Sequence, residues 1–326
     1  MSRAESTRPL KIALALGSGS ARGLSHIGVI QELAALGIAP DVVCGTSIGA
    51  LVGGAYTGGH IDELDAWFSR MSTANVFRYL DISPLSRGGV GRASRLIGHL
   101  RERFGSPLIE DLPMPFAAVA TDLATGRELW IQRGDMWDAV RGSIAIPGLL
   151  SPARIEGRWV VDGGLVNPVP VSVCRALGAD LIIAVNLNSD LGVRQQARAP
   201  RGRGPDAAAE AADKAETGLF DRLATGFREK APAQIAQWLD SDQKKSPDDD
   251  TPGIFNVVAN AINIMQDRIT RSRLAGEPAD IVISPRLSHI GLLDFDAAAE
   301  AIEAGRAEVR QFSAMIVDAV ASGRPI

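Results

Sequence analysis

The sequence predicts an α/β protein in three layers, α/β/α, with a mostly parallel central sheet between helices. Three observations predict this fold. Short apolar runs alternate with segments of helical period, which is typical of a parallel sheet covered on both faces. The 326 residues suffice for one large core with an extension, since domains usually take roughly 150 residues. The chain is 46% apolar and 22% charged, as ordinary globular proteins are.

The predicted elements follow in chain order. Strands are expected at 11–16, 42–45, 116–121, 129–132, 159–161 and 181–186, and helices at 24–36, 48–58 and 171–177. Within 24–36 the apolar residues recur at three- and four-residue steps and lie on one helical stripe, formed by Ile27, Ile30, Leu33 and Ala34. Gly37 then ends that helix.

The composition changes after residue 188 and divides the chain. We expect a tail at 1–10, a core at 11–188 and a partly mobile insertion at 189–252. The insertion has arginines with Pro and Gly at 194–204, an alanine-rich polar helix at 207–230 and a charged run at 241–253. Residues 253–326 are expected to complete the same domain with a helix at 254–274, a strand at 280–284 and a long final helix at 295–320.

Charge and cysteine content exclude several classes of protein. Lys and Arg number 34 against 38 Asp and Glu, a formal charge of −4, so no nucleic-acid partner is predicted. Cys44 and Cys174 have no metal or disulfide spacing and are expected to be buried free thiols. Apolar runs are too short for a secretory segment or for the ~18 residues of a spanning helix. We therefore expect a cytoplasmic protein, with peripheral contact at the inner membrane left open and no signal for an oligomeric state.

The first candidate site is the segment GSGSARG, which runs from Gly17 to Gly23 between a strand and a helix. Backbone N–H groups at such a helix start can bind a phosphate or the oxyanion of an acyl intermediate, and the glycine spacing alone does not choose. A dinucleotide fingerprint fits poorly. Its third glycine comes one position late at Gly23, and Asp41 precedes the second strand, whereas the fingerprint places an acid after it.

The second candidate site is GTSIG, from Gly45 to Gly49, placed between a strand and a helix. This G-x-S-x-G pattern in this context predicts a nucleophile elbow that presents Ser47, and the amide of Ile48 points into the same space. Plain strand-to-helix turns also carry such serines. The anion-binding loop at 17–23 favours the interpretation of Ser47 as a nucleophile over that of a plain turn.

The base for this serine has two candidates. Of the later histidines, His60 and His99 lie in polar helical context, and His289 has the order and loop setting of a triad. His26 precedes the serine, within the first helix, where packing is its expected role. The other candidate is Asp162, which ends a strand in the turn formed with Gly163 and Gly164. Strand ends of a parallel sheet face one crevice, so Asp162 can approach Ser47 and accept its proton directly if burial raises its pKa.

Taken together, these motifs resemble the patatin-like phospholipase family, in its compact bacterial branch. The strings are GSG-x-ARG-x-x-HIGV from residue 17, G-x-SIG from 45, VDG-x-x-x-NP-x-P from 161 and D-R-x-x-R-x-R-x-AG-x-P-x-D from 267. The resemblance implies a patatin-like fold and a lipid acyl hydrolase with a Ser–Asp dyad, which needs no cofactor or metal. Its substrate would be a lipid or another ester.

The resemblance also assigns the surrounding residues. Three oxyanion glycines of the family fall on Ser18, Gly19 and Ser20 here, so two positions depart from the pattern and narrow the approach of a bulky head group. The expected oxyanion donors are the amides of Ser18, Gly19, Ser20 and Ile48. Arg22 would fix the loop or face a phosphate, and the supporting residues are Gly17, Gly23, Gly45, Gly49, Gly163 and Gly164.

Two further hypotheses stay open at the level of sequence. A non-catalytic or regulatory protein that binds lipid or a protein partner through residues 189–275 would explain the serine-substituted loop and the large insertion. Peripheral membrane contact would use the arginines at 194–203 and the apolar stripe of 254–274.

Overall fold

A computed structural model describes residues 10–81, 88–189 and 254–323. The strands in these ranges are β1 (Ile12–Leu16), β2 (Val42–Thr46), β3 (Gly89–Gly91), β4 (Phe116–Asp122), β5 (Glu128–Ile131), β6 (Gly148–Leu150), β7 (Ala153–Ile155), β8 (Arg158–Asp162), β9 (Leu181–Val185) and β10 (Ile281–Ile283). The α-helices are α1 (Ser25–Ala35), α2 (Ile48–Thr57), α3 (Ile61–Phe68), α4 (Thr73–Leu80), α5 (Ser94–Phe104), α6 (Met136–Ser143), α7 (Val171–Ala176), α8 (Ile254–Gly276), α9 (Ala298–Gln311) and α10 (Ser313–Ser322).

The central sheet of the described residues is mixed, in the order β10-β9-β1-β2-β4-β8-β7, with β5 also paired to β4. The four pairings from β10 to β4 are parallel. Strands β5 and β8 run antiparallel to β4, and β7 runs antiparallel to β8. Helices α1, α2, α6 and α9 contribute to the core on one face, and α7 packs on the other. The three-layer α/β/α prediction is therefore confirmed.

Strands β2 and β8 meet end to end beside β4. Val119 of β4 pairs with Thr46 on one side and Trp130 on the other, and the next residue, Ala120, pairs with Leu129 and Asp162. Because β5 occupies one side throughout, the ends of β2 and β8 share the opposite side. The expectation that β8 is parallel to its neighbours was wrong, but its carboxyl end still arrives beside that of β2.

The C-terminal residues add a strand to the same sheet and a helix to the layer that contains α1. Strand β10 pairs with β9, and α9 packs closely against α1, where the Cβ of an alanine at Gly28 would lie 1.9 Å from the carbonyl oxygen of Ile302. The long helix α8 precedes β10. The single final helix expected at 295–320 was wrong, because the chain forms a short 3-10 turn (Phe295–Ala297) and then α9 and α10, with a break at Phe312.

Several elements lie outside the sequence prediction. Helices α3 to α6 and strands β3, β6 and β7 were not predicted as elements. The expected insertion at 189–252 and the tail at 1–10 lie almost entirely outside the described residues. Among the helices of the described ranges, none combines the length and the apolar composition that crossing a bilayer requires. Cys44 and Cys174 are free and buried, as predicted.

Candidate active site

The turn between β2 and α2 holds Ser47 in a rare backbone conformation, with φ of 57° and ψ of −124°. Two glycines make room for this turn. A Cβ at Gly45 would lie 2.3 Å from the carbonyl oxygen of Gly49, and a Cβ at Gly49 would lie 2.2 Å from that of Leu16. Contacts this short require glycine at both positions, so the G-x-S-x-G spacing is a steric condition of the elbow. Ser143 fixes the other side, since its Oγ accepts from the amide of Ser47 at 2.8 Å.

The carboxyl group of Asp162 lies directly against this serine, 115 residues away in sequence. Ser47 Oγ donates to Asp162 Oδ2 at 2.5 Å, and the amide of Gly164 donates to Oδ1 at 2.7 Å. Thr121 Oγ1 donates to the carbonyl of Asp162 and holds its backbone. Burial raises the pKa of Asp162 to about 6, although the hydrogen bonds from Ser47 and Gly164 act in the opposite direction. The carboxyl group is thus suited to exchange a proton near neutral pH.

The loop after β1 presents its backbone amides unequally. The amide of Ser18 donates to the carbonyl oxygen of Pro168 at 2.8 Å. Ser18 is therefore removed from the expected oxyanion donors, because its N–H already has a partner. No described residue accepts from the amides of Gly19 or Ser20, and Ile48 begins α2, where N–H groups have no acceptor within the helix. Of these residues, Ser20 and Ile48 line the same pocket as Ser47.

Two buried side chains, Arg22 and His26, hold this loop through hydrogen bonds to its backbone carbonyl groups. Arg22 is only 2% exposed, and its Nε donates to the carbonyl of Gly19 at 3.3 Å while Nη2 donates to Asn263 Oδ1 at 2.9 Å. Of the two roles expected for Arg22, the geometry favours fixing the loop. His26 Nε2 lies 2.7 Å from the carbonyl oxygen of Gly17 and donates to it. Burial lowers the pKa of His26 to about 4, so the ring is neutral at physiological pH.

The remaining supporting glycines surround the same point. Gly17 donates its amide to the carbonyl of Val185 at the end of β9. Gly23 packs against Ile48, where a Cβ would lie 1.9 Å from a side-chain methyl group. Gly163 and Gly164 open the short 3-10 turn Gly163–Leu165 that follows β8.

Helix α8 contributes residues that the sequence did not single out. Gln266 is buried, its Oε1 accepts from Ser18 Oγ at 2.9 Å, and its Nε2 lies 2.3 Å from where a Cβ of Gly164 would be. Asn263, one turn earlier, accepts from Arg22, and Gln266 contacts both Ser18 and Gly164. Helix α8 therefore connects the loop after β1 with the turn after Asp162. The helical stripe predicted α8 itself, but a polar residue on a buried face gives no signal of its partner. Thr121 and Ser143 were missed for the same reason.

An apolar pocket open to solvent lies at Ser47, and the empty space between its walls, open solvent included, is about 650 Å³. Apart from Ser20 and Ser47, its walls are aliphatic or aromatic. The lining residues are Ser20, Ser47, Ile48, Leu51, Trp67, Phe68, Met71, Val76, Tyr79, Leu80, Leu96, Ile144, Ile146, Leu149, Leu150, Leu293 and Phe295. A pocket of this composition suits a hydrocarbon chain.

The histidines that follow Ser47 in sequence have other partners. His289 Nε2 lies 2.8 Å from Glu300 Oε1, and its side chain is 39% exposed. His60 stacks on Phe104, and His99 stacks on Trp67. Among the described residues, the side-chain partner of Ser47 Oγ is Asp162, not an imidazole.

The chain is similar to several known proteins. A family model described as patatin-like phospholipase matches residues 14–175. An uncharacterized NTE family protein of Mycobacterium tuberculosis is 36% identical over 332 residues, which cover 92% of this chain and 91% of that protein. Lysophospholipase NTE1 of Pyricularia oryzae is 37% identical over 190 residues, 55% of this chain and 12% of that protein. The crystal structure of VipD from Legionella pneumophila aligns with a TM-score of 0.42 at 14% identity over 93% of this chain and 66% of that one.

Proposed function

Because the chain belongs to the patatin-like phospholipase family, we propose that it is a serine lipid acyl hydrolase, of the phospholipase A or carboxylesterase type. Membership of this family supports hydrolysis of lipids in general. The finer proposal, a Ser–Asp dyad, is supported by one observation above all. Ser47 Oγ donates to Asp162 Oδ2 at 2.5 Å at the base of an apolar pocket.

In the proposed acylation step, ionised Asp162 accepts the proton of Ser47 as Oγ attacks the ester carbonyl carbon. The carbonyl oxygen becomes an oxyanion, which the amides of Gly19, Ser20 and Ile48 stabilise. The tetrahedral intermediate then collapses, the ester C–O bond breaks, and Asp162 gives the proton to the leaving alcohol. The products of this step are the free alcohol and an acyl ester of Ser47.

Deacylation repeats these steps with water. Asp162 is again ionised and takes a proton from a water molecule that attacks the acyl carbon. The second tetrahedral intermediate collapses to release the fatty acid, and the proton returns from Asp162 to Ser47 Oγ. Each cycle therefore consumes one water and one ester and restores the dyad.

The pocket supports a lipid acyl group as the substrate portion next to Ser47. Leu51, Ile144 and Leu149 contribute aliphatic walls, and burying each CH₂ of an acyl chain contributes roughly 0.8 kcal/mol. The side chain of Ser20 at the loop narrows the space for the leaving alcohol. We therefore propose that esters of small alcohols are cleaved faster than glycerophospholipids with bulky head groups. A panel of p-nitrophenyl esters, lysophospholipids and diacyl phospholipids tests this order, and faster cleavage of the diacyl phospholipids would contradict it.

Reaction with a fluorophosphonate probe tests the dyad directly. The wild-type protein and the surface variant Ser69→Ala should be labelled equally, and Ser47→Ala should not be labelled. Ester hydrolysis should fall at least about 10³-fold in Ser47→Ala and in Asp162→Asn. His289→Ala should keep wild-type activity, because His289 pairs with Glu300. Loss of activity in His289→Ala with retention in Asp162→Asn would replace the dyad with a triad.

A non-catalytic role is the competing hypothesis, and the same probe decides it. Serine residues at two positions of the oxyanion loop favour this alternative, since side chains there narrow the site. An inert pocket would leave wild-type Ser47 unlabelled and would show no turnover of any ester in the panel.

We also propose peripheral contact with a lipid surface through α8. Four of its apolar side chains, Val257, Val258, Ile264 and Met265, are between 42% and 51% exposed. The arginines at 194–203 that motivated the same expectation lie outside the described residues. Replacing Val258 and Met265 by Asp should reduce co-sedimentation with phospholipid vesicles while leaving hydrolysis of a water-soluble ester unchanged. Equal co-sedimentation of the variant and the wild type would refute contact through this face.

A further inference from the structure

The two serines of the oxyanion loop use their hydroxyl groups differently. Ser18 Oγ donates to Gln266 Oε1 at 2.9 Å, so this hydroxyl is occupied in holding α8. Ser20 lines the same pocket as Ser47, and no described residue donates to or accepts from its hydroxyl. A small hydroxyl group with no hydrogen-bond partner in the described part of the chain therefore belongs to the pocket in which the ester would bind.

Ser20 also holds a backbone conformation that disfavours a side chain. Its φ is 51°, in the left-handed region, where glycine is the residue without a steric cost. The neighbouring contacts keep this conformation in place. Ala21 donates to the carbonyl of Leu292, Arg22 donates to that of Gly19, and the Ser18 amide donates to Pro168. A non-glycine residue kept in such a conformation at a site is an indication of function.

We propose that the Ser20 hydroxyl donates a hydrogen bond to the oxyanion that forms when Ser47 attacks the ester. Ser20 would thus contribute two donors, its amide and its side chain, and would be a catalytic residue. This inference rests on the proposed function of Ser47. The hydroxyl proton stays on Ser20 throughout, while the proton of Ser47 moves to Asp162 and then to the leaving alcohol. The bond weakens again when the carbonyl reforms.

A donor of this kind acts on the transition state more than on the bound substrate, because the negative charge exists only after attack. Its removal should therefore lower kcat and leave KM nearly unchanged. Loss of one oxyanion donor in a well-studied protease lowers kcat by roughly 10²- to 10³-fold. A serine hydroxyl can rotate, and the amides of Gly19, Ser20 and Ile48 remain as donors, so we expect a smaller loss of about tenfold.

The experiment compares Ser20→Ala and Ser20→Gly with the wild type on p-nitrophenyl butyrate. Both variants should lose kcat about tenfold with KM within twofold. Ser20→Gly should also raise the midpoint of thermal unfolding by a few degrees at most, because glycine relieves the left-handed backbone. Glu156→Gly is the matched control, since Glu156 has φ of 49° in an exposed turn. It should raise the unfolding midpoint without changing kcat.

A tetrahedral inhibitor separates a catalytic hydroxyl from a structural one. The inhibition constant of a trifluoromethyl ketone should rise in Ser20→Ala by the same factor by which kcat/KM falls. The inhibition constant of a product fatty acid should stay the same. Wild-type kcat in Ser20→Gly, or equal weakening of both inhibitors, would overturn the proposal. Ser47→Ala is measured in parallel. Residual activity in Ser47→Ala would refute the proposed function itself. An inactive Ser47→Ala together with fully active Ser20 variants would refute this inference alone.

Discussion

Replacing Asp162 by Asn should stabilise the protein at pH 8 while abolishing hydrolysis. Burial raises the pKa of Asp162 from its ordinary value of 3.8 to about 6. The folded state therefore binds more protons than the unfolded state between these two values, and its stability falls as pH rises through them. The difference of roughly two pH units corresponds to about 3 kcal/mol of destabilisation, all of it present above pH 6.

Asparagine removes the charge with little change of shape. Its carboxamide oxygen can still accept from the amide of Gly164, and its nitrogen can donate to Ser47 Oγ, so hydrogen bonding is largely kept. We therefore expect Asp162→Asn to be more stable than the wild type by about 1–3 kcal/mol at pH 8, and by close to zero at pH 4. Hydrolysis should fall at least about 10³-fold, because the amide cannot take the serine proton.

Urea unfolding of both proteins at pH 8 and pH 4 measures this difference. Asp122→Asn is the control, and its change in stability should have the opposite sign. Backbone N–H groups of Thr125 and Ala124 lower the pKa of Asp122, whereas burial raises that of Asp162. The stability that the Asp122 carboxylate provides is present above its unfolded pKa and is lost as pH falls. Asp122→Asn should thus be less stable than the wild type at pH 8. An Asp162→Asn variant that is less stable than the wild type at both pH values would refute the reasoning.

Three further predictions concern the site and its pocket. The value of kcat/KM should fall about tenfold per pH unit below pH 6, because protonated Asp162 cannot accept the serine proton, and a flat profile from pH 4.5 to 8 would contradict this. Gly49→Ala should destabilise the fold by roughly 2–4 kcal/mol in thermal unfolding, because its Cβ would lie 2.2 Å from a carbonyl oxygen of β1. The control is Gly98→Ala, at an open position of α5, which should be neutral or stabilising by up to about 1 kcal/mol. Leu149→Trp should shorten the pocket, so the ratio of kcat/KM for butyrate over decanoate esters should rise, and an unchanged ratio would place the acyl chain elsewhere.

The sequence predicted the parts of the site that depend on local backbone geometry. Gly45 and Gly49 flank Ser47 because the elbow has no room for a Cβ at either position. The strand and helix on each side follow from apolar runs of the right length and period. Asp162 is different, because Asp-Gly is an ordinary turn, and only its place at a strand end indicated a meeting with Ser47.

Other features depend on contacts that no local pattern encodes. Gln266 meets Ser18 across 248 residues of sequence, and a buried polar residue in a helical stripe does not name its partner. The predicted direction of β8 was wrong, because the apolar pattern of a strand does not distinguish parallel from antiparallel neighbours. The amide of Ser18 was expected to face the oxyanion, but it donates to the carbonyl oxygen of Pro168.

The site combines three features that oppose stability. Ser47 and Ser20 have positive φ, which costs about 1–3 kcal/mol per residue, and the carboxylate of Asp162 is buried, which disfavours its charged form. Hydrogen bonds from neighbouring residues hold Ser47 and Asp162 in place, with Ser143 on the amide of Ser47 and Gly164 on the carboxyl oxygen of Asp162. Because each cost belongs to a single residue, a substitution at Ser20 or Asp162 that removes it should increase stability and decrease catalysis together. A structural role for these residues gives the opposite sign, since stability and activity would then fall in parallel.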